Sequence, residues 1–233
     1  MSSQRASARE AIATIGHALA GQSQPVMFVG GTVTALYPLE GGMALRPTLD
    51  VDCVVDLATT AEYYAFAGRL RALGFRDCTD ENAPLCRLVY ADIRVDIVAT
   101  SATGIGPTNP WYRDAFAEAA VHSLEGDIEV RAITPLYFVA TKLEAFRGRG
   151  GGDYQASHDL EDILTVLSGL PGLREQVATE GTTVAAFARA GLVGLAAKEA
   201  FIDAVPAHFE GDLIGQTRAD LMLAWLSSLR ASG

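Results

Sequence analysis

The chain has 233 residues, of which 18 are lysine or arginine and 28 are aspartate or glutamate, so that its formal net charge is −10. This acidic balance argues against broad, nonspecific binding of nucleic acid, which depends on neutralising phosphates, and it suits a protein that gathers carboxylates around metal ions. Because the chain has no CxxC pair, no HExxH motif, no apolar run of about 18 to 20 residues and no secretory signal, we expect a cytoplasmic protein without a disulfide framework, a zinc site or a membrane span.

The N-terminal part of the chain predicts a helix, a strand and a glycine turn. Apolar residues recur at helical spacing through residues 5–20, and Val26–Val29 has the composition of a short buried strand. Gly30-Gly31 closes this strand, and Thr32–Tyr37 can open a helix directly afterwards. In such an arrangement backbone N–H groups can approach a phosphate closely, although paired glycines also occur in plain turns.

Two acidic residues lie in the next predicted strand, Thr48–Asp56. Asp50 and Asp52 are separated by one residue, and side chains at positions i and i+2 of a strand point to the same face. Like charges this close destabilise each other. We therefore expect a cation between the two carboxylates, unless the strand is a solvated edge of the sheet.

A predicted hairpin supplies a third carboxylate. Leu85–Tyr90 and Ile93–Ala99 predict two strands that are joined by the short turn Ala91-Asp92. In the second strand the alternating apolar residues face the core, which places Asp96 on the opposite face. Asp96 is therefore a candidate third metal ligand.

The remaining predicted elements are mostly helical. They are a helix with Thr59 and Glu62 as its capping box, a loop over Ser101–Pro110, a short helix over Trp111–His122, a strand over Asp127–Ile133, a helix from Thr134-Pro135, a helix capped by Ser157, and helical segments near 173–180, 183–205 and 216–231.

Charged residues mark the two helices after residue 134. Lys142 lies off the apolar stripe of the first of them, and Arg147 and Arg149 near its end complete the clearest basic cluster in the chain. This cluster is either a local anion-binding patch or a solvated helix end favoured by the macrodipole. Asp159 and Asp162 lie in the following helix, on the side away from its apolar stripe.

Three carboxylates on neighbouring strands, a glycine turn and a later lysine suit one chemistry. Two Mg²⁺ ions need shared oxygen ligands when they clamp a nucleoside triphosphate and activate a hydroxyl group. The expected reaction is in-line attack of that hydroxyl on the α-phosphate, with pyrophosphate as the leaving group. Positioning and charge neutralisation would supply most of the rate enhancement.

The motifs in this order resemble a known family. Gly30-Gly31-Thr32 followed by the segment 46–52, RPTLDVD, resembles the GG[ST]…RxTxDxD signature of nucleotidyltransferases in the DNA polymerase β superfamily. The later segments 141–145, TKLEA, and 159–163, DLEDI, resemble the AbiEii/AbiGii abortive-infection toxin group, which includes the MenT-type toxins. The resemblance spans roughly residues 25–167. It implies an α+β fold with a mixed sheet flanked by helices, a catalytic core over 1–133 and a helical region over 134–233.

The resemblance also implies a role for each site residue. Asp50 and Asp52 would hold the two Mg²⁺ ions, and Asp96 would complete the metal site and help to deprotonate the attacking hydroxyl. The implied ligands of the NTP are Gly30, Gly31, Thr32, Arg46, Thr48 and Lys142. His158 stands where many relatives have an arginine, so that Asp159 and Asp162 would either orient Lys142 or only cap their helix.

Three functions remain open at the level of the sequence. The first is a toxin that transfers a nucleotide to a tRNA 3′ end, with Lys142–Arg149 as the local basic patch and an antitoxin protein as a partner that only the resemblance implies. The second is transfer to a small cationic molecule or a protein side chain, because an acidic surface suits a cation better than RNA. The third is a non-catalytic binding module of the same fold.

Overall fold

The computed structural model describes residues 3–43, 45, 46, 48, 50–101, 104–149 and 152–231, without the side chains of residues 3–6 and 42. The chain divides into two compact units. The first unit comprises Met1–Tyr37 and Ala44–Thr134, and the second comprises Pro38–Met43 and Pro135–Gly233.

The first unit is built on a mixed sheet. In the described part of the chain its strands are β1 (Val26–Val29), β2 (Val51–Val55), β3 (Arg76–Asp77), β4 (Arg87–Tyr90), β5 (Ile93–Ala99), β6 (Ala120–Leu124) and β7 (Ile128–Ala132). They lie in the order β3-β4-β5-β2-β1-β7-β6. The pairs β1–β7 and β2–β5 are parallel, and the other neighbouring pairs are antiparallel. The predicted α+β class with a mixed sheet is therefore confirmed.

Helices cover this sheet, and their ends follow local signals. The described helices of the first unit are α1 (Ser3–Leu19), α2 (Thr60–Ala72), α3 (Tyr112–Ala117) and a 3₁₀ helix over Gly31–Leu36. The predicted capping box of α2 is present, since the Thr59 hydroxyl accepts from the Glu62 N–H and the Glu62 carboxylate accepts from the Thr59 N–H at 2.9 Å. Hydrogen bonds to this carboxylate from the Ala58 N–H and the Thr59 N–H lower the pKa of Glu62.

The second unit is helical in its described residues. Its helices are α4 (Pro135–Gly148), α5 (His158–Gly169), α6 (Pro171–Thr179), α7 (Thr183–Ala196), α8 (Glu199–Ala204) and α9 (Leu213–Ala231), with 3₁₀ turns over Glu40–Gly42 and Val205–His208. The segment Pro38–Met43 packs as part of this unit. Buried Leu39 contacts Gly169 so closely that a Cβ there would lie 2.9 Å from the leucine Cδ2, and Arg218 donates to the carbonyl of Gly41. No described helix has the length and apolar character that a membrane crossing requires.

Two predicted helices differ in the structure. Trp111–His122 is helical only over Tyr112–Ala117, because the following residues form β6 and pair with β7 through a turn at Gly126, where φ is +81°. The predicted helix over 183–205 is broken after Ala196. Lys198 has extended backbone angles, φ −99° and ψ 116°, and is the cap residue directly before α8.

Candidate active site

Asp52 and Asp96 lie side by side in the middle of the sheet. Strands β2 and β5 are paired in parallel with Asp52 directly opposite Asp96. Register partners on neighbouring strands leave the same face of the sheet, with backbones about 4.8 Å apart. The two carboxylates, which we call the sheet pair, are both half-buried. Their mutual repulsion is strong enough to require a nearby cation or a solvent-exposed face.

Arg87 is that cation, and it was not among the predicted site residues. Strand β4 places it opposite Asp96. Its Nε and Nη2 donate to Oδ1 and Oδ2 of Asp96 at 2.8 and 2.7 Å, and the two side chains are only 23% and 18% exposed. These hydrogen bonds raise the pKa of Arg87, with a smaller contribution from the negative charge of Asp50. A bidentate pair of this kind also fixes the orientation of the carboxylate.

The sequence contained a signal for this contact. Tyr90 pairs with Ile93 across the two-residue turn, so that three residues further along each strand Arg87 meets Asp96. Ala91 and Asp92 have φ values of 46° and 64°, as a tight hairpin turn requires. Counting the hairpin register outward from the predicted turn would have found Arg87.

The glycine turn meets the sheet pair at Gly30. Gly30 has φ 73° and ψ −173°, a conformation that is essentially restricted to glycine. A Cβ at this position would lie 2.0 Å from Oδ2 of Asp52. Thr32 is buried, and its hydroxyl donates to the backbone carbonyl of Asp50 at 3.3 Å. The glycine turn therefore contacts the carboxylate of Asp52, and its Thr32 hydroxyl holds the backbone of Asp50.

Asp50 differs from its prediction because it precedes the strand. Strand β1 ends at Val29, opposite Asp52, and the chain then turns away at Gly30. The pairing with β1 thus reaches only to Asp52, and β2 begins one residue earlier at Val51, which pairs with Val95 of β5. Asp50 lines a groove of about 980 Å³ together with residues of α1 and the β4–β5 hairpin.

Two buried thiols lie within the field of the sheet pair. Burial raises the pKa of Cys53, and the charges of Asp52 and Asp96 raise it further. Burial, followed by the charge of Asp96, raises the pKa of Cys86 to about 11. Both thiols are therefore protonated at neutral pH. Of these four side chains, only the two carboxylates offer a negative charge to a cation.

The sheet pair has the donor chemistry that Mg²⁺ prefers, since carboxylate oxygens are its usual protein ligands. Among the described residues no group of three or more His, Cys, Asp or Glu side chains is arranged to hold a metal ion. Asp52 and Asp96 fit the ion by residue type and proximity, and Asp50 lies directly before the strand that carries Asp52. The metal ligation remains a prediction.

The predicted lysine lies in the second unit within a buried ionic network. Lys142 Nζ lies 3.1 Å from Oδ1 of Asp159 and 2.6 Å from Oδ2 of Asp162, and Arg149 Nη1 lies 3.0 Å from Oδ2 of Asp159. The side chain of Lys142 is 12% exposed, whereas those of Asp159 and Asp162, which we call the helix pair, are 3% and 6% exposed. The contacts match the alternative in which the helix pair orients Lys142. Its binding of phosphate stays a prediction.

The basic cluster around this helix is balanced by carboxylates. Arg149 contacts Asp159, and Arg147 lies 3.8 Å from Glu144 and stacks over the ring of Phe187. This pairing reduces the positive potential that the Lys142–Arg149 patch could offer to RNA.

Within the segment 46–52, Arg46 and Thr48 are the residues before Asp50 that the structure describes. Arg46 and Thr48 are both partly exposed, whereas Pro47 and Leu49 between and after them lie outside the described residues. The contact of Arg46 and Thr48 with an NTP stays a prediction.

Solved proteins share this architecture, although no protein-family model and no curated protein matches the sequence. An antigenic nucleotidyltransferase-like protein from Paracoccidioides brasiliensis is 15% identical and has a TM-score of 0.53 over 87% of this chain and 92% of that chain. The antibiotic-resistance factor ANT(2'')-Ia in solution is 14% identical, with a TM-score of 0.49 over 83% and 95% of the two chains. ANT(2")-Ia in complex with adenylyl-2"-tobramycin is 15% identical, with a TM-score of 0.44 over 78% and 97%. The first likeness shows that this chain has the fold of a nucleotidyltransferase-like protein.

Proposed function

We propose that the protein is a Mg²⁺-dependent nucleotidyltransferase that moves a nucleoside monophosphate from an NTP to a hydroxyl acceptor. The observation that carries this proposal is the sheet pair, in which two half-buried carboxylates lie in register on one face with Gly30 against Asp52. The nucleotidyltransferase-like fold and the GG[ST]…RxTxDxD resemblance support the same chemistry.

Each residue has a specific task in this reaction. Asp50 and the sheet pair would hold Mg²⁺, which when bound offsets the negative charge of the triphosphate. The acceptor oxygen forms a bond to the α-phosphorus as the bond to pyrophosphate breaks, and Asp96 accepts the hydroxyl proton. Gly30 keeps the space beside Asp52 free of a side chain.

A tRNA 3′ end is the acceptor that the toxin-group resemblance suggests. The net charge of −10 and the carboxylates beside Lys142 and Arg149 make RNA binding electrostatically weak. If the protein acts on tRNA, it would therefore need contacts other than a broad basic surface. A toxin role further predicts that expression in bacteria arrests growth, that Asp52→Asn relieves the arrest, and that a neighbouring gene encodes an antitoxin.

A small cationic acceptor is the second candidate, and one observation favours it. The groove that Asp50 lines carries five carboxylates against two guanidinium groups. The excess of negative charge attracts a positively charged substrate, such as a polyamine or an amino sugar, to the edge of the proposed site.

A transfer assay tests the proposal and separates the acceptors. The protein is incubated with Mg²⁺ and each labelled NTP, with either total tRNA or a set of cationic antibiotics, and the products are resolved by electrophoresis and thin-layer chromatography. We expect labelling of one acceptor class and its loss in Asp52→Asn. Asp56→Asn is the matched control, because Asp56 is exposed and accepts from the Thr100 hydroxyl, and it should keep activity. If the protein binds NTP without Mg²⁺ and the Asp52→Asn variant binds it equally well, the result would instead favour a non-catalytic module.

A further inference from the structure

The Arg87–Asp96 contact differs from the other ion pairs around this sheet. Arg94, on the neighbouring strand, contacts Asp80 at 2.9 Å through a single nitrogen, and both side chains are about half exposed. Arg71 contacts Asp77 of β3 through two nitrogens, but these side chains are also exposed. Arg87 likewise uses two nitrogens, and both partners in its contact are mostly shielded from solvent. Shielding strengthens the interaction of Arg87 with each nearby carboxylate.

The contact also has a specific place in the charge pattern. Across three neighbouring strands the register places Asp52, Asp96 and Arg87 in one row on one face. Two negative charges thus lie beside one positive charge. A divalent cation at the sheet pair would therefore meet a positive charge that is already in contact with Asp96.

We propose that Arg87 is a positioning residue that acts as the internal counter-cation of the sheet pair. It holds Asp96 in one orientation, it stabilises the two adjacent carboxylates when no metal is bound, and it sets the affinity of the pair for a divalent cation by opposing the second positive charge. The last of these roles rests on the metal site of the proposed function, whereas the first two do not.

A metal-free experiment tests the counter-cation role. Arg87→Met keeps a long apolar stem and removes the charge, so in EDTA its melting temperature should fall well below that of the wild type. Adding Asp96→Asn to this variant removes the carboxylate charge that Arg87 contacted and should recover much of the loss. Arg94→Met is the matched control and should change little, because its ion pair is exposed. If Arg87→Met and the double variant that also carries Asp96→Asn melt at the same temperature, the counter-cation role of Arg87 is overturned.

A Mn²⁺ titration followed by calorimetry and thermal shift tests the effect on metal affinity. Arg87→Met should bind Mn²⁺ more tightly, on the order of tenfold, since a positive charge beside the site is lost. Arg87→Lys should bind close to the wild-type affinity because it keeps that charge. A merely structural role would leave the affinity of all three proteins unchanged, and this result would contradict the proposal.

The same titration distinguishes failure of this inference from failure of the proposed function. Asp52→Asn should abolish Mn²⁺ binding. If the wild type and Asp52→Asn bind Mn²⁺ equally or not at all, the proposed metal site is wrong, and the affinity-setting role of Arg87 falls with it. If the wild type binds Mn²⁺ through Asp52 but Arg87→Met binds no more tightly, the metal site stands and the role of Arg87 is overturned.

Discussion

The two units each hold a pair of aspartates beside basic side chains, and the pairs differ in exposure and in their partners. The helix pair is almost completely buried, and Lys142 contacts both of its carboxylates. The sheet pair is half-buried, Arg87 contacts one of its carboxylates, and the other lies against the bare backbone of Gly30. The same residue types are therefore almost completely buried in one unit and half-buried in the other.

We infer that this difference separates a network that stabilises its unit from a pair that binds the metal ion of the proposed function. Buried carboxylates need fixed partners, since leaving one without compensation costs several kcal/mol. The sheet pair is only half-buried, so solvent reaches it, and in the proposed function a cation approaches it from solution. We accordingly expect substitutions in the helix pair network to act first on stability, and substitutions near the sheet pair to act first on binding.

The largest expected effect is that of Lys142→Met. It removes the cation that contacts both buried carboxylates of the helix pair, and we expect a loss of about 3–5 kcal/mol in the free energy of unfolding, measured by urea denaturation. Arg71→Met is the control, because Arg71 and Asp77 are 42% and 63% exposed, and its loss should stay below about 1 kcal/mol. Similar losses for the two variants would erase the distinction between the two regions.

Alkaline pH should weaken the first unit through its buried thiols. The pKa of Cys86 is raised from its ordinary value of 9.0 to about 11, so the folded state holds this proton more tightly than the unfolded chain does. The resulting stability is fully present below pH 9 and is lost as the pH rises from about 9 to about 11, with an upper limit of about 3 kcal/mol. The slope of unfolding free energy against pH should become shallower in Cys86→Ala. An unchanged slope would contradict this prediction.

Gly30→Ala should cost about 2 kcal/mol, because alanine is strained at this backbone conformation and its Cβ would collide with Asp52. Gly126→Ala is a matched control, since Gly126 has φ +81° but a Cβ there would lie 3.9 Å from its nearest neighbour, Ile128 Cδ1. Both variants should lose stability in thermal unfolding, but only Gly30→Ala should also weaken the Asp52-dependent Mn²⁺ binding. Normal binding by Gly30→Ala would mean that the glycine turn does not shape the sheet pair.

The smallest expected effect is that of Ser157→Ala at the start of α5. The Ser157 hydroxyl accepts from the Leu160 N–H at 3.3 Å, and Thr182 caps α7 through the same contact at the same distance. Each alanine variant should lose about 1 kcal/mol of unfolding free energy in chemical denaturation. A clearly larger loss for Ser157→Ala would show that the cap also supports the helix pair.

Local patterns predicted much of the fold and part of the candidate site. The capping box at Thr59, the cap at Ser157 and the apolar stripe of α4 all depend on residues within a few positions of each other, and the structure has each of them. The alternation of β5 likewise places Asp96 on the face opposite the core residues Val95 and Ile97. Short-range signals of this kind need no knowledge of the tertiary fold.

The features that the sequence did not predict depend on contacts between distant residues. Asp159 and Asp162 have the spacing of solvated helix residues, and only the packing of α4 against α5 buries them beside Lys142. The start of β2 after Asp50 depends on its pairing with the distant strand β5, where Val51 lies opposite Val95. Arg87 is an intermediate case. The hairpin turn determines that its partner is Asp96, but only the pairing of β2 with β5 places that partner beside Asp52.

The segment Pro38–Met43 makes the second unit discontinuous along the chain. A fragment beginning at Pro135 would lack Leu39, whose side chain fills the space beside Gly169, and would lack the carbonyl that accepts from Arg218. Such a fragment would expose an apolar surface on α5 and would be prone to aggregate when it is produced alone. Dissection of this protein into separately folding pieces therefore requires that residues 38–43 be grafted onto the helical piece, for example by circular permutation.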